Sequence, residues 1–402
     1  MTSIELDQLA GTWQFGPAPR DYVLSHVRAV TADRVSDDSW VVVREGRIAD
    51  IRDTPVGDPR TVDGNGLLLI PGIVDIHCDS LENELMPRPN APVPGEFALT
   101  SLEGRLVGAG ITTIYHGVRF GHQGFRGGPR DIDTAQQMCD LIDATVSYRV
   151  DHRVLHRMDV LSAPGAEALT QRLATLPAGE VPPLVSHEDH TPGQGQYADP
   201  QHMINYNIHK DGMTPEAARE NVARLIREGA EKDELKQANL DWLGRLAGTG
   251  EIRLAGHDPD TPEVVDGLVA RHCVAAEFPT TLEAARAARR NGLQIVAGAP
   301  NLLRGHSHAG NLSARELAAE GLLDALASDY LPTALLGSAG LAARTGLVDL
   351  PTAVGWLTRG PAEAAGLTDR GDLREGLRAD FALVDDSVGS WPRPVTTLFA
   401  AG

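Results

Sequence analysis

The sequence predicts a (β/α)8 TIM-like barrel with a small β-sandwich domain formed by both chain ends. Three observations carry this expectation. Short apolar runs alternate with helical patterns through the middle of the chain, strand patterns without helices occupy both ends, and 402 residues suit one large barrel plus a small accessory domain. The chain divides accordingly into an N-terminal extension over 1–20, sandwich segments over 21–69 and 371–402, and a barrel over 70–370.

After a mixed start containing Pro and Gly, residues 22–30 and 39–51 read as strands, the second broken by a Glu45-Gly46 turn. Barrel-strand candidates follow at 70–77, 111–117, 153–160, 182–187, 252–257, 274–278, 293–298 and 323–329. Helical periodicity separates them, notably over 134–150, 261–272, 280–292 and 313–321, where Ser313 and Glu316 make a capping-box pattern. Strand patterns return at 371–373, 379–385 and 395–400. An open doubly wound sheet is the rival architecture for such alternation. The connection over about 191–250 is far longer than the usual few residues, which marks a functional insertion.

Composition excludes several functions. A net charge of −19 argues against a broad nucleic-acid or anionic-membrane surface. The apolar fraction of 42% with 23% charged residues is that of a globular chain with a sizeable core. Cys78, Cys139 and Cys273 are sparse and far apart, which fits a reducing compartment. No apolar stretch reaches the roughly 18 residues that span a bilayer, and the start lacks a signal-peptide pattern. A cytoplasmic protein acting on a small molecule is expected, with no nucleic-acid or membrane partner and with homo-oligomerisation left open.

The chemistry gathers at strand ends. Asp75-Ile76-His77-Cys78-Asp79 closes the first barrel strand, and residues two apart on a strand face one side, so His77 and Asp79 project together. A lone pair of this kind is more often a polar strand end. Here the fourth strand runs into His187-Glu188-Asp189-His190, the fifth ends in His257-Asp258, the sixth contains Glu277 and the eighth ends in Ser328-Asp329. These ends converge on one mouth in a barrel, where crowded carboxylates repel unless a cation joins them. His77, Asp79, His190, His257 and Asp329 are therefore expected to hold a divalent metal, with Glu277 and Glu188 as further candidates. Zinc is the favoured ion and manganese the alternative, as one ion or two. A divalent ion lowers the pKa of water bound to it, and Asp329 is expected to act catalytically as the proton acceptor.

A second cluster reads as substrate-binding. GAPNLLRGHSHAGN follows the seventh strand, offering Arg304, His306, Ser307, His308 and Asn311 to an anion, and Arg88 adds charge after the first strand. Taken individually, Arg88 and the arginines from Arg119 to Arg130 read rather as solvated surface groups. The remaining histidines are read as structural, with His116 and His122 intermediate because they follow the second strand.

Beyond these residues, the sequence resembles the α-D-ribose 1-methylphosphonate 5-triphosphate diphosphatases of the carbon–phosphorus lyase pathway, within the amidohydrolase superfamily. The segments that carry the resemblance are PGIVDIHCDSLENELMPRP, AGITTIY, EDHTPGQGQY, EFPTTLEAA, GAPNLLRGHSHAGN and LLDALASDYLP, in that order, with RGDLREGLRADFALVD as the return to the small domain. The resemblance implies a distorted barrel, divalent metal at His77, Asp79, His257 and Asp329, and water attack on a 5′-triphosphate that releases pyrophosphate. Asp79 stands where the wider superfamily usually has a second histidine. His187-Glu188, His306 and His116 depart from the family pattern. Two other readings stay open on the residues alone: cleavage of a C–N bond in an amide, lactam or amidine, and a non-catalytic metal-binding homologue.

Overall fold

The first strands of the chain assemble into a sheet that the last strands complete. In the computed structural model, which describes residues 18–88, 90–121, 132–177, 179–209, 211–307 and 309–400, these are β1 (Tyr22–Ala29), β2 (Ser39–Arg44), β3 (Arg47–Arg52), β4 (Thr61–Asp63) and β5 (Leu68–Pro71). Most of the expected 1–20 extension and of the stretch after Gly121 lies outside the described residues. The β2–β3 hairpin turns at Glu45 and Gly46, whose φ values of 52° and 74° give the two-residue turn that suits twisted strands.

Eight parallel strands follow: β6 (Ile73–Cys78), β7 (Ile111–Phe120), β8 (Asp151–Asp159), β9 (Leu184–Glu188), β10 (Arg253–His257), β11 (Ala275–Glu277), β12 (Gln294–Gly298) and β13 (Ala325–Ala327). Each pairs with its sequence neighbour, and the chain then returns to the first sheet as β14 (Phe381–Asp385) and β15 (Arg393–Leu398). That sheet has the order β15-β14-β5-β1-β2-β3, with β4 beside β1. Alternate residues such as Tyr22 and Leu24, Val41 and Val43, and Phe381 and Leu383 fill its core.

The barrel interior is packed by Val74, Ile76, Tyr115, Leu155, Leu184, Ala255, Ala275, Val296, Ala325 and Ala327, while a larger apolar cluster lies between strands and helices. Polar contacts draw β13 back to β6. The buried Asp75 carboxylate accepts from Ser328 N–H at 3.1 Å and from Ser328 Oγ at 2.5 Å. Asp329 N–H donates to the His77 carbonyl at 2.9 Å, and Asp79 N–H donates to the Asp329 carbonyl at 2.5 Å. The strand ends that carry His77, Asp79 and Asp329 are thereby stitched together.

Three expectations change in detail. The helix expected over 134–150 ends at Asp143, because Thr145-Val146-Ser147 resists helix and Val146, 98% exposed, has no face to bury. Residues 371–373 form a bend, with Gly371 at φ 99°, although Leu373 still fills the small core. Of the 191–250 connection, helix Asp233–Gly248 packs on β10 as part of the outer ring, burying Leu240 and Leu243. The added material is a short 3-10 turn at Gly195–Tyr197 and helices Pro200–His209 and Pro215–Glu231, held by a small cluster of Tyr197, Met203 and Val222. No described helix is long and apolar enough to cross a membrane.

Close approach fixes one glycine. A Cβ at Gly360 would lie 1.9 Å from the Asp324 carbonyl oxygen, in the segment that leads into β13. Backbone cannot yield as a side chain does, so Gly360→Ala is expected to cost about 3 kcal/mol, the upper end of overpacking effects. A thermal melt of the variant that matches the parent would refute this.

Candidate metal centre and active site

The mouth is built by three strand ends that turn through the left-handed region. Asp258, Phe278 and Asp329, just past β10, β11 and β13, have φ of 52°, 54° and 56°. Aspartate tolerates this conformation and phenylalanine adopts it rarely, so the surrounding contacts hold it there. A pairing irregularity between Asp75 and Cys78 on β6 breaks strict alternation, which lets His77 join Asp79 at the mouth above Val74 and Ile76.

Glu277 organises the two central imidazoles. His77 Nδ1 lies 2.8 Å from Glu277 Oε1, His257 Nδ1 lies 2.9 Å from Oε2, and Ser186 Oγ donates to Oε2 at 2.6 Å. With each Nδ1 bound to the carboxylate, each Nε2 is left facing the mouth. The rings stack 5.5 Å apart, and Phe278 lies edge-on to both at 5.1 and 5.2 Å. His77 Nε2 is 3.7 Å from Asp79 Oδ1, and His257 Nε2 is 3.5 Å from Asp258 Oδ2. His190 Nε2 approaches the same Asp258 oxygen at 3.8 Å.

The electrostatics show how crowded this space is. Burial opposes charge on His257, yet Asp258 and Glu277 carry its imidazole up to about 9. Burial, then the neighbouring Asp79, pushes the Asp329 carboxyl up to about 6, and burial does the same to Asp258. His190, with burial dominant, falls to about 3 and is neutral. Glu188 is held well below the usual carboxylate range: burial opposes this, and Arg157 and Arg119 outweigh it.

Three overlapping groups have donor atoms within 4.8 Å of one another and could hold a metal ion: His77, His257 and Glu277; Glu188, His190 and His257; and His77, Asp79 and Asp329. Among the described residues the buried Asp258 Oδ2 atom has no hydrogen-bond partner, as expected of a cation-facing oxygen. Imidazole nitrogens beside clustered carboxylate oxygens are the donor set that zinc or manganese prefers, and a bound cation would take the place of the proton on His257. The residues present therefore fit a divalent cation.

All seven residues expected at the metal come together. A cleft of about 250 Å³ opens beside them, and Arg304, Ser307 and Asn311 line it together with Gln196, Tyr197 and Tyr206 of the added segment. Arg304 Nη1 donates to Tyr330 Oη at 2.5 Å, and Asn311 Nδ2 donates to the Gln196 carbonyl at 3.1 Å. Arg88 and His306 are exposed and do not line this cleft, and His308 lies outside the described residues. His116 is drawn away from the mouth, 2.9 Å from His152 Nδ1, which in turn meets Glu103 at 3.2 Å.

Two features escape a reading of the residues alone. Arg157 on β8 is buried and donates to Asp79 Oδ2 at 2.5 Å and to Glu188 Oε2 at 2.7 Å. Arg119, read as a surface group, is largely enclosed, its side chain 9% exposed between Glu188 Oε1 at 2.7 Å and Asp159 Oδ2 at 3.1 Å. The signal was there: Leu155, Arg157 and Asp159 alternate, so a leucine that faces the interior puts both charges on its own face.

A parallel barrel with histidines and carboxylates at its strand ends, backed by a sheet from both chain ends, is the build of the amidohydrolase superfamily of hydrolases. Solved structures agree with this at the level of fold: a 5-methylcytosine deaminase from Klebsiella pneumoniae (TM-score 0.62, 16% identity, 94% of this chain and 96% of that one) and an L-hydantoinase from Arthrobacter aurescens (TM-score 0.55, 15% identity, 96% of each). No family model matches the chain. A curated protein of Escherichia coli (strain K12), named alpha-D-ribose 1-methylphosphonate 5-triphosphate diphosphatase, is 34% identical over 369 residues, 90% of this chain and 94% of its own length. The chain belongs to that diphosphatase family.

Proposed function

We propose that the protein hydrolyses the 5-triphosphate of α-D-ribose 1-methylphosphonate 5-triphosphate and releases pyrophosphate, with a divalent cation held by His77, Asp79, His257 and Asp329. The observation that carries the reading is the likeness to the E. coli diphosphatase over 90% of the chain, with these four residues converging at one mouth. Zinc is the favoured ion and manganese the alternative. A bound divalent ion supplies Lewis acidity and a water of lowered pKa. The chain's own residues do the rest. Asp329, half-buried and crowded by Asp79, takes the proton of the attacking water and passes it to the leaving group. Glu277 fixes the tautomers of His77 and His257 and is a positioning group rather than a ligand. Glu188 is neutralised by two arginines and does the same for the far wall. His190 and Asp258, just past β9 and β10, would flank the ion.

Arg304, Ser307 and Asn311 bind the phosphate chain, and the turn and helices between Thr191 and Glu231 shield it from water. Arg304→Ala is expected to raise KM about tenfold with little change in kcat, as loss of a charge-assisted contact to bound substrate would. A C–N hydrolase would be indifferent to that change. The three cysteines are buried and unpaired, which supports a reducing cytoplasmic setting. The reading is tested by loading the chelator-stripped chain with zinc or manganese and measuring pyrophosphate release from ribose and nucleoside triphosphates. Release that requires added metal supports it; ammonia or amine release from amides, with triphosphates untouched, overturns it.

A further inference from the structure

The mouth has donors on two sides, His77, Asp79 and Asp329 on one and Glu188, His190 and His257 on the other. A second ion beside the first would draw on the acidic groups that face each other across these two sets, Asp79 in one and Glu188 in the other. Both are already engaged by a cation of the chain. Arg157 donates through Nη1 to Asp79 Oδ2, and through Nε at 3.1 Å and Nη2 at 2.7 Å to Glu188 Oε2. The other Glu188 oxygen faces Arg119 Nε at 2.7 Å, and Asp159 anchors Arg119 from behind. Glu188 therefore has an arginine on each oxygen.

The barrel wall is shaped for this pair. Gly117 on β7 faces Asp79 and Arg157, and a Cβ there would lie 2.3 Å from Asp79 Oδ1 and 3.0 Å from Arg157 Cδ. Even a methyl group would displace the carboxylate or the arginine stem. Arginine does not shed its proton under any condition the fold survives, so the guanidinium is a permanent charge rather than a switch. A second divalent ion beside it would meet like charge at close range, in a buried site where solvent screens poorly.

We infer that Arg157 is the resident cation of the mouth, standing where a second metal ion would bridge Asp79 and Glu188, so that the chain takes a single divalent ion. This rests on the metal-dependent reading above. Asp79, with Oδ2 on the guanidinium, would then link that charge to the ion's. Arg157 acts by positioning Asp79 and by setting the metal count.

The test is metal stoichiometry of the full chain, stripped, reloaded with Mn2+ or Zn2+ and freed of excess ion. About one equivalent is expected for the parent and for Arg157→Lys, with the Mn2+ EPR signal of an isolated ion. Arg157→Met is expected to admit a second equivalent and to show the spin-coupled signal of an ion pair. Two equivalents in the parent or in Arg157→Lys would overturn the inference and leave the hydrolase reading standing. A folded Arg157→Met that still takes one equivalent would also overturn it. Failure of the parent to bind any ion would remove the metal-dependent reading itself. If Arg157→Met does not fold, the parent's stoichiometry and EPR signal decide.

Discussion

Asp329→Asn is expected to lower kcat by about three orders of magnitude, the range of a lost general base, while KM changes only a few-fold. The asparagine should fold, because the position needs a residue that accepts φ of 56° and asparagine, like aspartate, tolerates the left-handed region better than most side chains. Its main-chain bonds to His77 and Asp79 stay in place, so the β6–β13 seam survives. What disappears is a carboxylate that burial and Asp79 have already pushed up to about 6. That crowding is the electrostatic reason for a cation here. Steady-state pyrophosphate release, with metal content measured on the same sample, separates loss of chemistry from loss of ion. Parent-like kcat in a metal-loaded variant would eliminate the assigned role.

Glu277→Gln should weaken metal binding by 10- to 100-fold, the usual effect of removing a carboxylate behind ligating histidines. Here the expectation falls at the upper end, because one carboxylate serves two imidazoles. It receives His77 on one oxygen and His257 on the other, at 2.8 and 2.9 Å, and Ser186 completes its shell. A glutamine presents one oxygen and one N–H2 group in that place, so it can accept from only one ring and must face the other with a donor. One imidazole then changes tautomer or turns its Nε2 away from the mouth. Competition against a chelator of known affinity gives the dissociation constant directly. An unchanged constant would mean that the imidazoles are held by packing against Phe278 rather than by the carboxylate.

The strands were legible because short apolar runs bounded by turns and helical periodicity are local properties. Each of the eight runs became a barrel strand, and the hairpin at Glu45-Gly46 formed where its residues permit positive φ. His77, Asp79, His257 and Asp329 were legible for a different reason: a barrel brings every strand end to one mouth, so position along the chain translates into position in space. Arg157 and Asp258 were harder. An arginine in a strand pattern reads as a solvated edge until the alternation with Leu155 is followed inward, and Asp258 lies one residue past its strand, where only the left-handed turn aims it at the mouth.

By itself, the sequence determined the order of elements, the union of the two ends in one sheet and the convergence of His77, Asp79, His257 and Asp329 on one mouth, since pattern and chain order are enough for these. Tertiary structure alone decided what each group touches. It placed Glu277 behind two imidazoles rather than in front of them, set an arginine on each oxygen of Glu188, brought Arg304 to the cleft and left Arg88 in solvent. Those outcomes depend on ångström-scale distances between residues far apart in the chain, such as His77 and Glu277, 200 positions apart, and no local pattern encodes such distances.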